Sequence, residues 1–325
     1  SETSAKKTMS SGTFFNDVLN RCSNQLKSLG FNNQLSLVSG GIRMKILNSN
    51  HPSLLNIAHL PIKVLDFSST SKVVYEELQE LKLSGLCLPP GIAVDFSRLS
   101  NLNLESLKAD ACIVSNLESL KEHPLRSLSL NKTNLRNLEF CKHLKLEELS
   151  LESTSLDSIE ELRNMDLNSL NLLKTKVSNL EPLREMPLKE LVLSATKVND
   201  LKPISDTPLH RLELRATAVS DVSPLEKCPL TTLYLPGSPV SNLEPVRNCP
   251  IADLNIVGLR LESLNPLVKM PLERLALSLE GLSTEDLVLL KHLKVGRIRC
   301  ANDPLDQSAD EFFTRHYPLP FKNGL

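Results

Sequence analysis

His123, Cys141 and His143 are side-chain types that hold zinc, and they stand near one another in the chain. A structural zinc site draws its four ligands from paired, short spacings. These three lack such spacing and fall at different offsets of the local pattern, so no metal centre is expected. Cys228 and Cys249 could form a bridge, and Asn131-Lys132-Thr133 is a formal glycosylation acceptor. Phosphate chemistry has no carrier, because neither G-x-x-x-x-G-K nor G-x-G-x-x-G occurs. H-E-x-x-H, G-x-S-x-G, an acidic calcium loop and the protein-kinase signatures are likewise absent. Carboxylates are plentiful, but their positions read as solvated, without the paired burial that sets up acid–base work. The expectation is a chain that is not an enzyme and takes no cofactor or metal.

Composition narrows the remaining classes. Lys and Arg number 37 against 38 Asp and Glu, so no field of one sign draws in nucleic acid or an anionic membrane surface. No apolar run approaches the length of a bilayer span, so membrane insertion by this segment is not expected. The first residues, Ser1 to Lys7, lack an initiating Met and an apolar leader core. They read as a processed or truncated start with room for an upstream signal, anchor or domain, and the compartment stays open. Aromatic residues make up 4% of the chain, with no Trp, and Leu dominates the apolar content. A core filled by one medium-sized side chain points to one pocket recurring, and therefore to a repeat.

The repeat has a period of 21 residues. Leu104, Leu125, Leu146, Leu167, Leu188, Leu209, Leu230, Ile251 and Leu272 form its first column. Leu107 to Leu275 and Ala109 to Leu277 follow three and five places later, giving L-x-x-L-x-L. The last two positions alternate as a half-buried strand requires. Three more apolar columns begin at Val114, Leu117 and Leu120. Pro182, Pro203, Pro224, Pro245 and Pro266 form one proline column, and Pro124, Pro187, Pro208, Pro229, Pro250 and Pro271 form another. Proline lacks an N–H and fixes φ, so a long helix on the return leg is excluded. The return is extended or a tight 3₁₀ turn. Thr133, Thr154, Thr175, Thr196 and Thr217, then Ser238, make a polar column three places after the strand.

The unit L-x-x-L-x-L-x-x-T-x-V-x-x-L-x-P-L, over residues 104–277, resembles the short leucine-rich repeats of internalin type. It is more similar still to the Thr-bearing repeats attached to some bacterial serine/threonine protein kinases. The resemblance implies an α/β solenoid, a leucine-rich-repeat horseshoe rich in β-structure, with a short 3₁₀ or extended convex side and helical caps. In such repeats the Thr position usually holds Asn, which bonds the backbone of neighbouring coils, and a Thr hydroxyl can take that role. The implied function is a non-catalytic scaffold for a protein or peptide. The alternative is a regulatory or sensory part of a larger bacterial enzyme, such as a protein kinase, with the catalytic part outside this chain. A monomer is expected.

The flanks must seal the ends of the core. Residues 1–12 read as a disordered tail. Residues 13–34 read as a helical cap, with Thr13 as N-cap, Gly30 as stop, and Phe14, Val18 and Cys22 on one face. Residues 35–103 read as degenerate repeats, with the spacing slipping near Leu78–Leu83, an insertion at Cys87–Gly91 and an irregular loop around 86–100. Regular repeats span 104–282 and a second cap 283–325. In that cap Ser283 to Asp286 forms a capping box, Lys294 to Cys300 a last strand, and Ser308 opens a helix carrying Phe312 and Phe313. Met165, Met186 and Met270 occupy the slot of Cys228 and Cys249, which favours buried thiols there over a bridge.

Strand residues that flank the core leucines pave one face. In its first half they are small and polar. Its second half gathers Leu173, Val192, Arg211, Glu213, Arg215, Tyr234 and Val257. Tyr234 is the one aromatic on these columns, and Tyr and Arg dominate interface hot spots. These seven residues are the candidate ligand site, set against the bland alternative of a solvated sheet face.

Overall fold

In a computed structural model the described residues are 11–301 and 303–316. They divide into two compact units, one of residues 1–134 with 143–145 and one of 135–142 with 146–325.

The first unit opens with the helix Ser11–Ser28, which starts ahead of Thr13, so Thr13 lies inside the helix and does not cap it. The side chain of Phe14 lies outside the described residues, as does the backbone of 1–10. Cys22 and Leu26 are buried and Val18 half-buried. The helix stops in a Schellman arrangement: Phe31 N–H donates to Leu26 O at 2.9 Å and Gly30 N–H to Lys27 O at 3.0 Å. Gly30 supplies the left-handed φ of +86° that this closure needs. The hairpin Asn33–Val38 and Gly41–Ile46 follows, and the parallel strands Ile62–Asp66, Gly85–Cys87, Ser106–Lys108 and Ser127–Ser129 stack on it in order.

This pairing corrects the expected slip. Met44 opposes Leu65, Leu65 opposes Leu86, and Leu86 opposes Leu107, each 21 residues on. Leu78 and Leu81, which suggested a break, belong to the return leg, where the short helix Tyr75–Leu78 replaces the usual turn. Residues 86–100 are also more regular than a loop. Ala93–Asp95 pairs in parallel with Ile113–Ser115 as a second small sheet, and Phe96–Leu99 is a 3₁₀ turn.

The second unit stacks Glu148–Ser150, Ser169–Asn171, Glu190–Val192, Arg211–Glu213, Thr232–Tyr234, Asp253–Asn255, Arg274–Leu277 and Arg297–Cys300 as parallel strands. Most are three residues long and centred on the first Leu of L-x-L. Five successive return legs, from Glu181–Leu183 to Asn265–Lys269, are single 3₁₀ turns with the column proline in second place; Glu160–Leu162 lacks the proline, and the helix Thr284–His292 forms the last return. An Asn, Asp or Ser two residues before each of these turns sets its start. Asn179 Oδ1 accepts from Glu181 N–H at 2.9 Å, Asp200 Oδ1 from Lys202 N–H at 2.9 Å, and Asp221 Oδ1 from Ser223 N–H at 2.8 Å. At the far end Ser283 and Asp286 form the capping box of the helix Thr284–His292. Asp303–Gln307, a strand not anticipated, turns back antiparallel on Arg297–Cys300. The helix Ala309–His316 then buries Phe312, with Phe313 edge-on to it.

The threonine column works differently from the expectation. Each hydroxyl donates to the carbonyl three residues back in its own coil: Thr154 to Leu151 at 2.8 Å, Thr175 to Leu172 at 2.8 Å, Thr196 to Leu193 at 2.6 Å and Thr217 to Leu214 at 2.8 Å. A Thr hydroxyl is too short to leave a turn whose own carbonyl sits beside it. Coils are joined instead by backbone, as Leu193 N–H to Glu213 O at 2.9 Å and Ala195 N–H to Arg215 O at 2.7 Å.

A further column escaped the sequence reading. Ala111, Lys132, Ser153, Lys174, Ala195 and Ala216 all have φ between 53° and 57°, and Gly237 and Gly258 occupy the same place. A non-glycine residue there costs roughly 1–2 kcal/mol, partly offset by glycine's greater freedom in the unfolded chain. Lys174→Gly is therefore expected to raise stability by about 0.5–1 kcal/mol, and Gly237→Val to lower it by about 1–2 kcal/mol. A Cβ at Gly237 would meet nothing closer than 3.7 Å, so the first side-chain carbon is limited by backbone conformation and not by crowding. Urea midpoints check both, and equal midpoints for wild type and Gly237→Val would refute the strain.

Candidate functional site

Strand pairing sets the candidate face in rows. One row runs Arg211, Thr232, Asp253, Arg274 and Arg297, and the next runs Glu213, Tyr234, Asn255, Ala276 and Arg299. All seven candidate residues lie in the second unit.

Tyr234 is half-buried, and its hydroxyl donates to Asp253 Oδ2 at 3.0 Å. The Arg211 guanidinium lies 5.3 Å from the centre of the Tyr234 ring, within cation–π range. Arg211 in turn donates from Nε to Glu213 Oε1 at 3.1 Å. On the other side Asp253 receives Arg274 Nη2 at 2.8 Å. The chain Glu213–Arg211–Tyr234–Asp253–Arg274 thus fixes the aromatic ring from both sides across four coils. Burial holds the Tyr234 phenol above its ordinary pKa, and the bond to Asp253 adds to that. Burial opposes the charge on Arg211, but Glu213 outweighs it, so Arg211 stays a firm cation.

The apolar members sit beside this network. Val192, Leu173 and Val257 are each half-buried. Leu173 N–H is held by Asn171 Oδ1 at 3.0 Å, and Val257 N–H by Asn255 Oδ1 at 3.2 Å. Arg215 is exposed, with its backbone N–H donated to Ser194 Oγ at 3.2 Å. The sequence reading missed Asp253, Arg274 and the two asparagines. Their columns were visible, but only side-chain reach shows that they brace the site.

The strand face of the first unit spends its polar groups on itself. Asp110 accepts from Ser129 Oγ at 2.6 Å and from Asn131 N–H at 3.0 Å, and Lys108 Nζ lies 3.3 Å from it. The Asn131 amide is tied to Ser129 Oγ at 3.1 Å. Asp66 is buried in an ion pair with Arg43.

The zinc-type residues have separate settings. His123 is buried, and its Nδ1 meets the Leu102 carbonyl at 2.8 Å, so that nitrogen carries the proton. Burial lowers the His123 pKa. Cys141 is buried with its thiol pushed well up by desolvation, and His143 is exposed. Among the described residues no three His, Cys, Asp or Glu side chains gather as metal ligands. Cys228 and Cys249 are buried free thiols. Cys249 Sγ faces Leu225 O at 3.6 Å, and burial with Cys249 nearby pushes the Cys228 thiol up to about 11. No helix among the described residues is long and apolar enough to cross a membrane.

No protein-family model and no curated protein matches this sequence. Solved structures do match in fold. Internalin InlF of Listeria monocytogenes is similar at a TM-score of 0.51 and 20% identity, over 72% of this chain and 86% of that one. Internalin C2 of the same organism follows at 0.45 and 19%, over 70% and 93%. The functional domain of InlJ, described as including a cysteine ladder, gives 0.44 and 15%, over 70% and 60%. At such identity the likeness to InlF is one of fold: this is a leucine-rich-repeat solenoid with short, 3₁₀-returned coils.

Proposed function

We propose that this leucine-rich-repeat solenoid is a non-catalytic scaffold that binds a protein or peptide on its strand face, centred on Tyr234. One observation carries the reading. Tyr234 is held by Arg211 on one side and Asp253 on the other, while remaining only half-buried. An aromatic ring fixed before binding loses little freedom on binding, which is how a hot spot contributes affinity. Val192, Val257 and Leu173 supply apolar surface around it, and Arg215 and Glu213 supply polar contacts. Glu213 supports the ring through Arg211.

The test is capture of a partner from native lysate by the full chain, followed by affinity measurement with variants. Tyr234→Ala and Arg215→Ala are each expected to weaken binding by roughly tenfold or more. Ser129→Ala and Ser150→Ala are expected to change it little. Wild-type binding by the first pair with loss in the second would place the site in the earlier coils. Loss only on deleting 301–325 would place it in the cap.

A further inference from the structure

We propose that the polypeptide received on this face is acidic, with carboxylates that reach Arg215 and Arg299 on either side of Tyr234. The inference rests on the binding reading above and names the chemistry of the partner.

The charge ledger of the face supplies the argument. Arg211 is neutralised by Glu213, and Arg274 by Asp253. Arg215 and Arg299 are both exposed and have no ion-pair partner among the described residues. Arg297 gives an N–H to the Asp306 carbonyl at 2.8 Å and lies in the field of the Glu311 carboxylate, so it is not counted as a free charge. Arg215 and Arg299 therefore present unpaired positive charge on the last coils of the face, although the chain as a whole has a formal net charge of −1. Excess charge of one sign on a binding face selects partners of the other sign and speeds their approach.

Geometry limits the occupant further. Arg299 stands four coils beyond the coil of Arg215, which is about 19 Å at the usual strand spacing of about 4.8 Å. Between them Pro236, Asn255 and Ala276 are buried and leave a low floor next to Tyr234. An extended segment of about six residues spans that distance at about 3.3 Å each. A polypeptide is favoured over a nucleic acid because Tyr234 is the one aromatic on these columns, and strand-tracking nucleic-acid sites use several stacking rings.

The test uses fluorescein-labelled octaglutamate, octalysine, octaserine and an eight-base oligothymidine, read by anisotropy against the full chain. Octaglutamate is expected to bind most tightly and to weaken steeply with added salt. Arg215→Gln and Arg299→Gln should each weaken it by roughly three- to tenfold, and the double variant should lower it to the level of octaserine. Arg274→Gln should do less than either, since its charge is already paired. Both key side chains are exposed, and circular dichroism checks that the variants fold. Octaglutamate binding no tighter than octalysine or octaserine, or a double variant that binds as wild type, would overturn the proposal. So would tighter binding of the oligothymidine. Capture of a lysate partner that depends on Tyr234, together with failure of octaglutamate, would leave the binding reading standing and remove only its acidic partner.

Discussion

Leu193→Ala is expected to lower the free energy of unfolding by about 2–5 kcal/mol, the range for a large core side chain cut to a methyl group. Leu193 has no measurable exposure, and its column neighbours Leu172 and Leu214 are equally buried. Its backbone is also committed. The N–H donates to the next coil at Glu213 O, and the carbonyl receives both the N–H and the hydroxyl of Thr196. The coil therefore has little freedom to collapse into the space the side chain leaves. Two packed neighbours feel the vacancy, because in a stack each coil shares its core with the coils before and after. Urea unfolding of the full chain measures the effect, with Glu190→Ala, exposed on the strand just before Leu193, as a control that should move stability by less than about 0.5 kcal/mol. A Leu193→Ala midpoint equal to wild type would mean that the column is not a close-packed core.

Replacing Thr154, Thr175, Thr196 and Thr217 together by Val is expected to cost about 2–6 kcal/mol in sum, at about 0.5–1.5 kcal/mol for each lost hydrogen bond. All four hydroxyls are tied to carbonyls of their own coils, at 2.6 to 2.8 Å. Each carbonyl keeps a backbone donor, as with Thr196 N–H on Leu193 O at 3.2 Å, so no single substitution leaves a wholly orphaned acceptor. The sharper expectation concerns additivity. Bonds closed within separate coils should add, whereas a ladder running from coil to coil would show coupling between neighbours. A double-mutant cycle on Thr175 and Thr196 decides the matter. A coupling energy well above about 0.5 kcal/mol would restore the inter-coil ladder that the column first suggested.

What the sequence made legible follows from what repetition can encode. The period, the strand column and the prolines of the return leg recur often enough that each column declares its environment. Leu193 and its equivalents could be assigned to the core without any structure. Direction of bonding was not legible, because a Thr at a fixed place says nothing about which of two nearby carbonyls its hydroxyl meets. The left-handed column was hidden for a related reason. Ala, Lys, Ser and Gly share no side-chain property at that place, only a backbone conformation imposed by the turn. In the first unit the period itself was obscured, since Tyr75, Leu78 and Leu81 bring extra apolar residues onto the return leg. At the candidate site, Tyr234 and the arginines stood out by residue type. Asp253 looked like any exposed acid until Tyr234 Oη and Arg274 were found to converge on it.

The constant offset between paired strands carries a consequence for heredity. Leu170 faces Leu191, Leu191 faces Leu212 and Leu212 faces Leu233, each one period on. A gene segment that encodes one coil can therefore misalign with the segment for its neighbour during recombination and still leave the reading frame intact. The product gains or loses a whole coil with its hydrogen bonds, turn and leucines in step. An insertion of any other length keeps later side chains on their faces only if the return leg absorbs it, as the helix Thr284–His292 does where Leu275 faces Ile298 at an offset of 23. A lineage can thus lengthen or shorten its strand face in single inherited steps.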